Sequence, residues 1–334
     1  MSGPTSEQPR STCTVAGISI PAYKDLPPVS GMPHGCTWGL WDSNGQRDQL
    51  GTLNLLTPEV VLQARREIQL GISVAVNWSL DKCSTPHSQR KKPEHRILLL
   101  PDWVGHDDEV NINTQSGSQW DGFRHWAHQP TKLYYNGVSH AEIMDMSVPA
   151  RNDWTQRGGI VGRGILLDYL SWAESQGIKY SPIEHHAITI QDLEAVAAAQ
   201  GTELLRGDIL LVRSGFVRWY NEATDEQRIA GTRNGSAWAG VEGSKESVEW
   251  IWDHHFAAVA GDANAFELWP ARDERYRLHD NLLSLFGTPI GEMFDLERLA
   301  ETCKVHHRWS FFFTSAPLNF PGGVASPPNG ICIL

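Results

Sequence analysis

The stretch Asn113-Thr114-Gln115-Ser116-Gly117-Ser118-Gln119-Trp120-Asp121-Gly122-Phe123-Arg124-His125-Trp126-Ala127-His128 packs polar, metal-competent and aromatic side chains into one short segment. In an extended chain Gln119 and Asp121, two apart, project from the same face. A turn after Gly122 brings His125 within their reach. Two readings fit this pattern: the beginning of an active site, or a polar loop capped by buried tryptophans.

The 334 residues around it have an ordinary globular composition, 40% hydrophobic and 20% charged. That length can bury a large core, and no composition shift forces a division into two domains. The 14 tryptophans suit aromatic-lined pockets or a stiff core, because indole buries a large area and offers one N–H. A formal net charge of -11, with no basic run beyond Arg90-Lys91-Lys92, argues against a nucleic-acid partner. No segment reaches the roughly 18 consecutive apolar residues of a membrane span, and Met1 to Arg10 lacks the apolar stretch of a secretory signal. A cytoplasmic protein with no membrane partner is expected. Cys13, Cys36, Cys83, Cys303 and Cys332 are widely spaced with no CxxC pair, which fits a reducing compartment and argues against both a disulfide framework and a zinc–thiolate site.

Along the chain, residues 1–30 are rich in Ser, Thr, Pro and Gly without periodicity and read as a flexible N-terminal arm. Residues 31–334 form the expected catalytic domain. Thr57-Pro58-Glu59 is a helix start, with Thr57 as cap, Pro58 in the first turn and Glu59 suited to the dipole, and predicts a helix over 58–69. Alternation of Ile72, Val74, Val76 and Trp78 predicts a half-buried strand, followed by a polar surface excursion over 81–94. Further strands are expected at 97–100, 158–168, 208–213, 257–260, 309–313 and 331–334, with helices at 190–199, capped by Thr189, and at 247–252. The glycines from Gly158 to Gly164 do not make a G-x-G-x-x-G opening a helix, so no nucleotide cofactor is expected. The mixture of elements, without strict βα alternation, gives an α/β or α+β single domain.

Candidate ligands are Gln119 and Asp121 from the first segment and His279 and Glu292 from a second, Leu278-His279 to Glu292-Met293. Carboxylates neutralise a divalent cation, imidazole adds nitrogen, and the amide oxygen of Gln119 is a harder donor. The histidine pairs His185-His186, His254-His255 and His306-His307 are background, since adjacent residues rarely share one ligand geometry.

These segments resemble the cyclase family that includes bacterial kynurenine formamidase and isatin hydrolase, whose signature is H-x-G-T-H-x-D-x-P-x-H. Over Gln115 to His125 this chain keeps Gly117, Asp121 and His125. It has Ser118 for Thr, Gln115 and Gln119 for two histidines, and Phe123 for the proline. Leu278-His279-x-x-Leu282-Leu283 with Gly287-x-x-Ile290-x-Glu292 is similar to the family's distal ligand segment, and Gly207 to Gly215 to its central strand. Trp38-Gly39 and Gly51-Thr52-Leu53-Asn54 are similar to segments of its larger, often fungal members.

The resemblance implies the swivelling β/β/α fold of the family, a mixed sheet core with flanking helices. It also implies one divalent ion, Mn2+ or Zn2+ with Mg2+ as a further candidate, held by Gln119, Asp121, His279 and Glu292, with His125 as acid/base. Hydrolysis of an amide, lactam, formamide or lactone on a small aromatic molecule is the expected reaction. The alternative is a cyclase, dehydratase or isomerase of secondary metabolism that uses the same pocket with little or no metal. Trp38, Gln115, Trp120, Phe123, Trp126, His128, Asp262 and Phe266 are the expected pocket residues, with Trp41, Trp269 and Glu267 as further candidates. A homodimer or larger assembly is expected.

Overall fold

A computed structural model describes residues 13–15, 17–145 and 153–334. Eleven strands matter to the site: β1 (Ser73–Ala75), β2 (Glu94–Leu99), β3 (His106–Asn111), β4 (Gln119–Asp121), β5 (Ile160–Leu167), β6 (Ile209–Val212), β7 (Ala258–Gly261), β8 (Ile290–Glu292), β9 (Ser310–Ser315), β10 (Ala325–Ser326) and β11 (Gly330–Ile333). Nine of them form one sheet in the order β10-β4-β8-β7-β6-β5-β9-β11-β1. The middle of the sheet, β8-β7-β6-β5, is parallel, and both wings are antiparallel. Parallel strands need cover on both faces, which is why β6 (Ile-Leu-Leu-Val) and β7 are apolar and buried at every position.

The helices supply that cover. Residues α1 (Pro58–Ala64) begin as the sequence predicts, with Thr57 accepting a hydrogen bond from Val60 N–H. Helix α2 (Ile190–Gln200) has Thr189 and Asp192 as a reciprocal capping box. Helix α3 (Lys245–Asp253) buries Val248, Trp250, Ile251 and Trp252 in the same core that holds β5, β6 and β7. Among the described residues no helix is long and apolar enough to cross a membrane.

The structure departs from the sequence expectations in three places. The expected flexible arm lies partly outside the described residues, at 1–12 and 16, yet its later part is docked. Cys13–Val15 pairs with Ile18–Ile20, Ile20 and Tyr23 are buried, and Tyr23 N–H donates to Asp253 at 2.6 Å. The Pro- and Ser-rich composition hid a few well-placed apolar anchors. Second, residues 81–94 are not a surface excursion throughout, because Cys83, Thr85 and Pro86 are buried. Third, β2 and β3 do not join the sheet. They pair only with each other as a projecting hairpin whose strand residues are exposed, apart from half-buried Leu98.

His255 offers a test of this core. It is buried with Nε2 unpartnered, and burial, assisted by Arg206, pushes its pKa down from 6.5 to about 4. The unfolded chain protonates this residue below about 6.5 and the native chain only near 4, so stability present above that window falls as pH drops through it. Because His255 has a left-handed φ of 52°, asparagine is the tolerated replacement. In His255→Asn the loss of unfolding free energy between pH 7 and pH 4.5, read by urea titration, is expected to shrink by about 2 kcal/mol.

Candidate metal centre

The register of β4 against β8 sets up the centre. Gln119 lies opposite Glu292, Trp120 opposite Gly291 and Asp121 opposite Ile290, so Gln119, Asp121 and Glu292 share one face. The Gln119 amide donates from Nε2 to Glu292 Oε2 at 2.6 Å and to Gln115 Oε1 at 3.0 Å. Gln115 in turn donates from Nε2 to Asp121 Oδ1. Glutamine at 115 thus holds the carboxylate from the side.

Two imidazoles close the group. His279 opens a π-helix, His279–Phe286, and its Nε2 stands 3.2 Å from Glu292 Oε1 and 3.6 Å from Asp121 Oδ2. His125 follows a turn closed by its own N–H to Gly122 C=O, and its Nε2 stands 3.7 Å from the same Asp121 oxygen. Ligand atoms of Asp121, His125 and His279 all lie within 4.8 Å of one another.

Burial alone would raise the pKa of Asp121, but His125, His279 and the Gln115 amide hold it below the usual carboxylate range. Glu292 is pushed up to about 7 by burial and by the negative charge of Asp121, against the pull of His279. Burial works against a charged His279, yet its contacts with Asp121, Glu267 and Glu292 raise its pKa. His125 goes the other way, lowered by burial and by the charges of His279 and Arg90 despite Asp121. Buried Asp121 Oδ2 and Gln119 Oε1 accept no hydrogen bond. Unpaired buried oxygens beside two imidazole nitrogens are a donor set that suits a divalent cation.

Glu267 orients this set. Its Oε1 accepts from His279 Nδ1 at 2.6 Å and from His279 N–H at 2.9 Å, while Oε2 accepts from Leu278 N–H at 2.6 Å. The carboxylate fixes the His279 tautomer so that Nε2 faces the centre, as supports of ligating histidines do.

Comparison with known proteins gives the family and the fold. A profile of the cyclase family matches residues 40–267. The chain belongs to the cyclase family. A solved structure described as a novel cyclase is 29% identical with a TM-score of 0.78, covering 90% of this chain and 99% of its own. An isatin hydrolase bound to the product analogue thioisatinate has 14% identity and a TM-score of 0.57, covering 83% and 99%. Isatin hydrolase A from Ralstonia solanacearum has 17% identity and a TM-score of 0.54, covering 83% and 97%. No curated protein matches the chain.

Of the pocket residues expected from sequence, the structure brings Gln115 and Trp126 to the centre. The Trp126 ring meets His279 at 5.3 Å, and its Nε1 donates to Asp280 at 2.6 Å. Trp269 stands 6.5 Å beyond it. Trp120 does not join them: alternation along β4 turns it to the opposite face, where it packs on Phe294 and Phe313. Phe123 packs against Tyr135 and Trp154 and lines a cavity of about 540 Å³ that neither the four candidate ligands nor His125 reaches.

The remaining expected residues make contacts of their own in the structure. Asp262 accepts from Ser214 N–H, Ser214 Oγ and Gly215 N–H, so it clamps the end of β6 rather than facing a substrate. Phe266 and Trp41 are core residues. His128 pairs Nδ1 with Thr131 Oγ1 at 2.9 Å inside its own loop. Trp38 donates to Ser284 C=O at 2.7 Å, bracing the π-helix without touching a ligand. Replacing Glu267 by glutamine keeps the shape and removes the charge on His279. Glu267→Gln is expected to weaken divalent-metal affinity by about 10- to 100-fold in a chelator competition titration.

Proposed function

We propose that this chain is a metal-dependent hydrolase that opens a C–N or lactone bond of a small aromatic molecule. The observation that carries the reading is the buried, unbonded Asp121 Oδ2, approached by both His279 and His125. In it Asp121, His279, Glu292 and the amide oxygen of Gln119 hold one divalent ion. Glutamine in place of imidazole at 119 makes the site harder and favours Mn2+ over Zn2+. The ion, when bound, polarises a carbonyl and acidifies water.

The other steps belong to side chains. His125, lowered in pKa, is neutral at pH 7 and free to take a proton from the attacking water. The imidazolium so formed lies 3.7 Å from the Asp121 carboxylate, which stabilises it until the proton passes to the leaving nitrogen or oxygen. Trp126 stands beside His279, with Trp269 beyond it, and supplies aromatic surface near the centre. Isatin hydrolases that share this fold support hydrolysis as the reaction class.

A second reading, in which His125 is itself a ligand, is favoured by the compactness of the Asp121–His125–His279 group. One pair of variants separates the two. Asp121→Ala is expected to lose a stoichiometric divalent ion by elemental analysis, and fully active metal-free protein would favour cyclisation or isomerisation instead. His125→Ala is expected to keep its ion and lose turnover by about 10²- to 10⁴-fold. Loss of the ion in that variant would make His125 a ligand.

A further inference from the structure

The turn before the projecting hairpin is held in an unusual shape beside the centre. Ser88 and Gln89 are consecutive non-glycine residues with left-handed φ of 56° and 55°. Such backbone is uncommon for residues with a side chain and persists where its surroundings impose it. Here both ends are fixed. Thr85 is tied to Tyr220 and Thr232 in a buried hydroxyl group, and Arg90 Nη1 donates to Gln115 C=O at 3.0 Å.

The consequence is the placement of one cation. The bond to Gln115 uses Nη1 and leaves the Nε–Nη2 edge of Arg90 without a hydrogen bond among the described residues. That edge is the one that grips a carboxylate with two parallel N–H bonds. Gln115 reaches Asp121 and Gln119, so Arg90 stands at the rim of the centre, and its charge acts on both His125 and Glu292. From the same turn the His87 ring meets Trp238 at 4.6 Å, and rings continue through Trp269 and Trp126 to His279. The contacts therefore close a circuit that runs from Arg90 through Gln115 and Asp121 to His279, and back through Trp126, Trp269 and Trp238 to His87 on the same turn.

We infer that Arg90 is a substrate-binding residue that holds a carboxylate on an aromatic ligand while Trp126 and Trp269 flank the ring. This rests on the reading of the centre as an active site, and it specifies the anionic character of what enters.

Benzoate and benzamide, alike in shape and different in charge, test it on the full-length metal-loaded protein by tryptophan fluorescence or calorimetry. Arg90→Gln is expected to weaken benzoate at least tenfold, to change benzamide less than twofold, and to leave metal content and melting temperature as in the wild type. Arg90→Lys should recover part of the benzoate affinity, since it restores charge without the fork. Equal benzoate binding by Arg90→Gln and wild type, equal loss of both ligands, or no benzoate binding by the wild type at millimolar concentration overturns the assignment. The same titration on chelator-treated protein separates this outcome from a failure of the metal reading, because the Arg90 difference persists there and the metal analysis stands apart.

Discussion

Asp121, Glu267 and Glu292 are buried together, and that concentration of negative charge is the constraint to which the rest of the molecule answers. A buried carboxylate is costly unless charge and hydrogen bonds compensate it. Protein groups do part of this: Gln115 and Gln119 donate to Asp121 and Glu292, backbone N–H groups at the start of the π-helix donate to Glu267, and His279 stands among all three carboxylates. Asp121 Oδ2 is left over. A cation among these residues would complete the compensation, so metal binding and stability are linked through the same few atoms.

The scaffold concentrates these groups at strand ends. Loops leaving the carboxyl ends of parallel strands are the usual location of ligands in open α/β sheets. Here β7 leads into the loop that carries Glu267, and β8 ends on Glu292. The antiparallel wing adds Gln119 and Asp121 from a strand running the other way, so residues distant in sequence meet without a long loop. Glycine at 291 belongs to this solution, since a Cβ there would fall 2.6 Å from Ala260 Cβ and 2.9 Å from the Phe294 ring.

Much of this was legible in the sequence, for physical reasons that differ by residue. The apolar runs at Ile209–Val212 and Ala258–Gly261 announced buried strands, and Thr57 and Thr189 announced helix starts. Asp121, His125, His279 and Glu292 were readable through the family signature, and the structure gathers them. Glu267 was less so, because its partner sits twelve residues on and meets it only after the chain has turned into the π-helix. The alternation that groups Gln119 with Asp121 places Trp120 on the opposite face of β4. Asp262 and Phe266 follow a strand end, where some side chains are exposed and others buried, so periodicity does not tell that both are buried. Arg90 gave no signal: its meaning comes from a backbone shape that Ser88 and Gln89 do not advertise.

The projecting hairpin has a consequence for how such a chain can vary. Its base pairs Glu94 with Asn111, and so brings the chain leaving Arg90 back towards Gln115 whatever happens at the tip near Trp103 and Val104. Insertions or deletions at that tip leave the base intact and can alter the outer surface freely. One residue added between Gln119 and Asp121 would instead send every later side chain of β4 to the opposite face. Length change is thus permitted and forbidden within a single stretch of about thirty residues, which makes the hairpin the place where the outside of the molecule can diversify while its chemistry stays fixed.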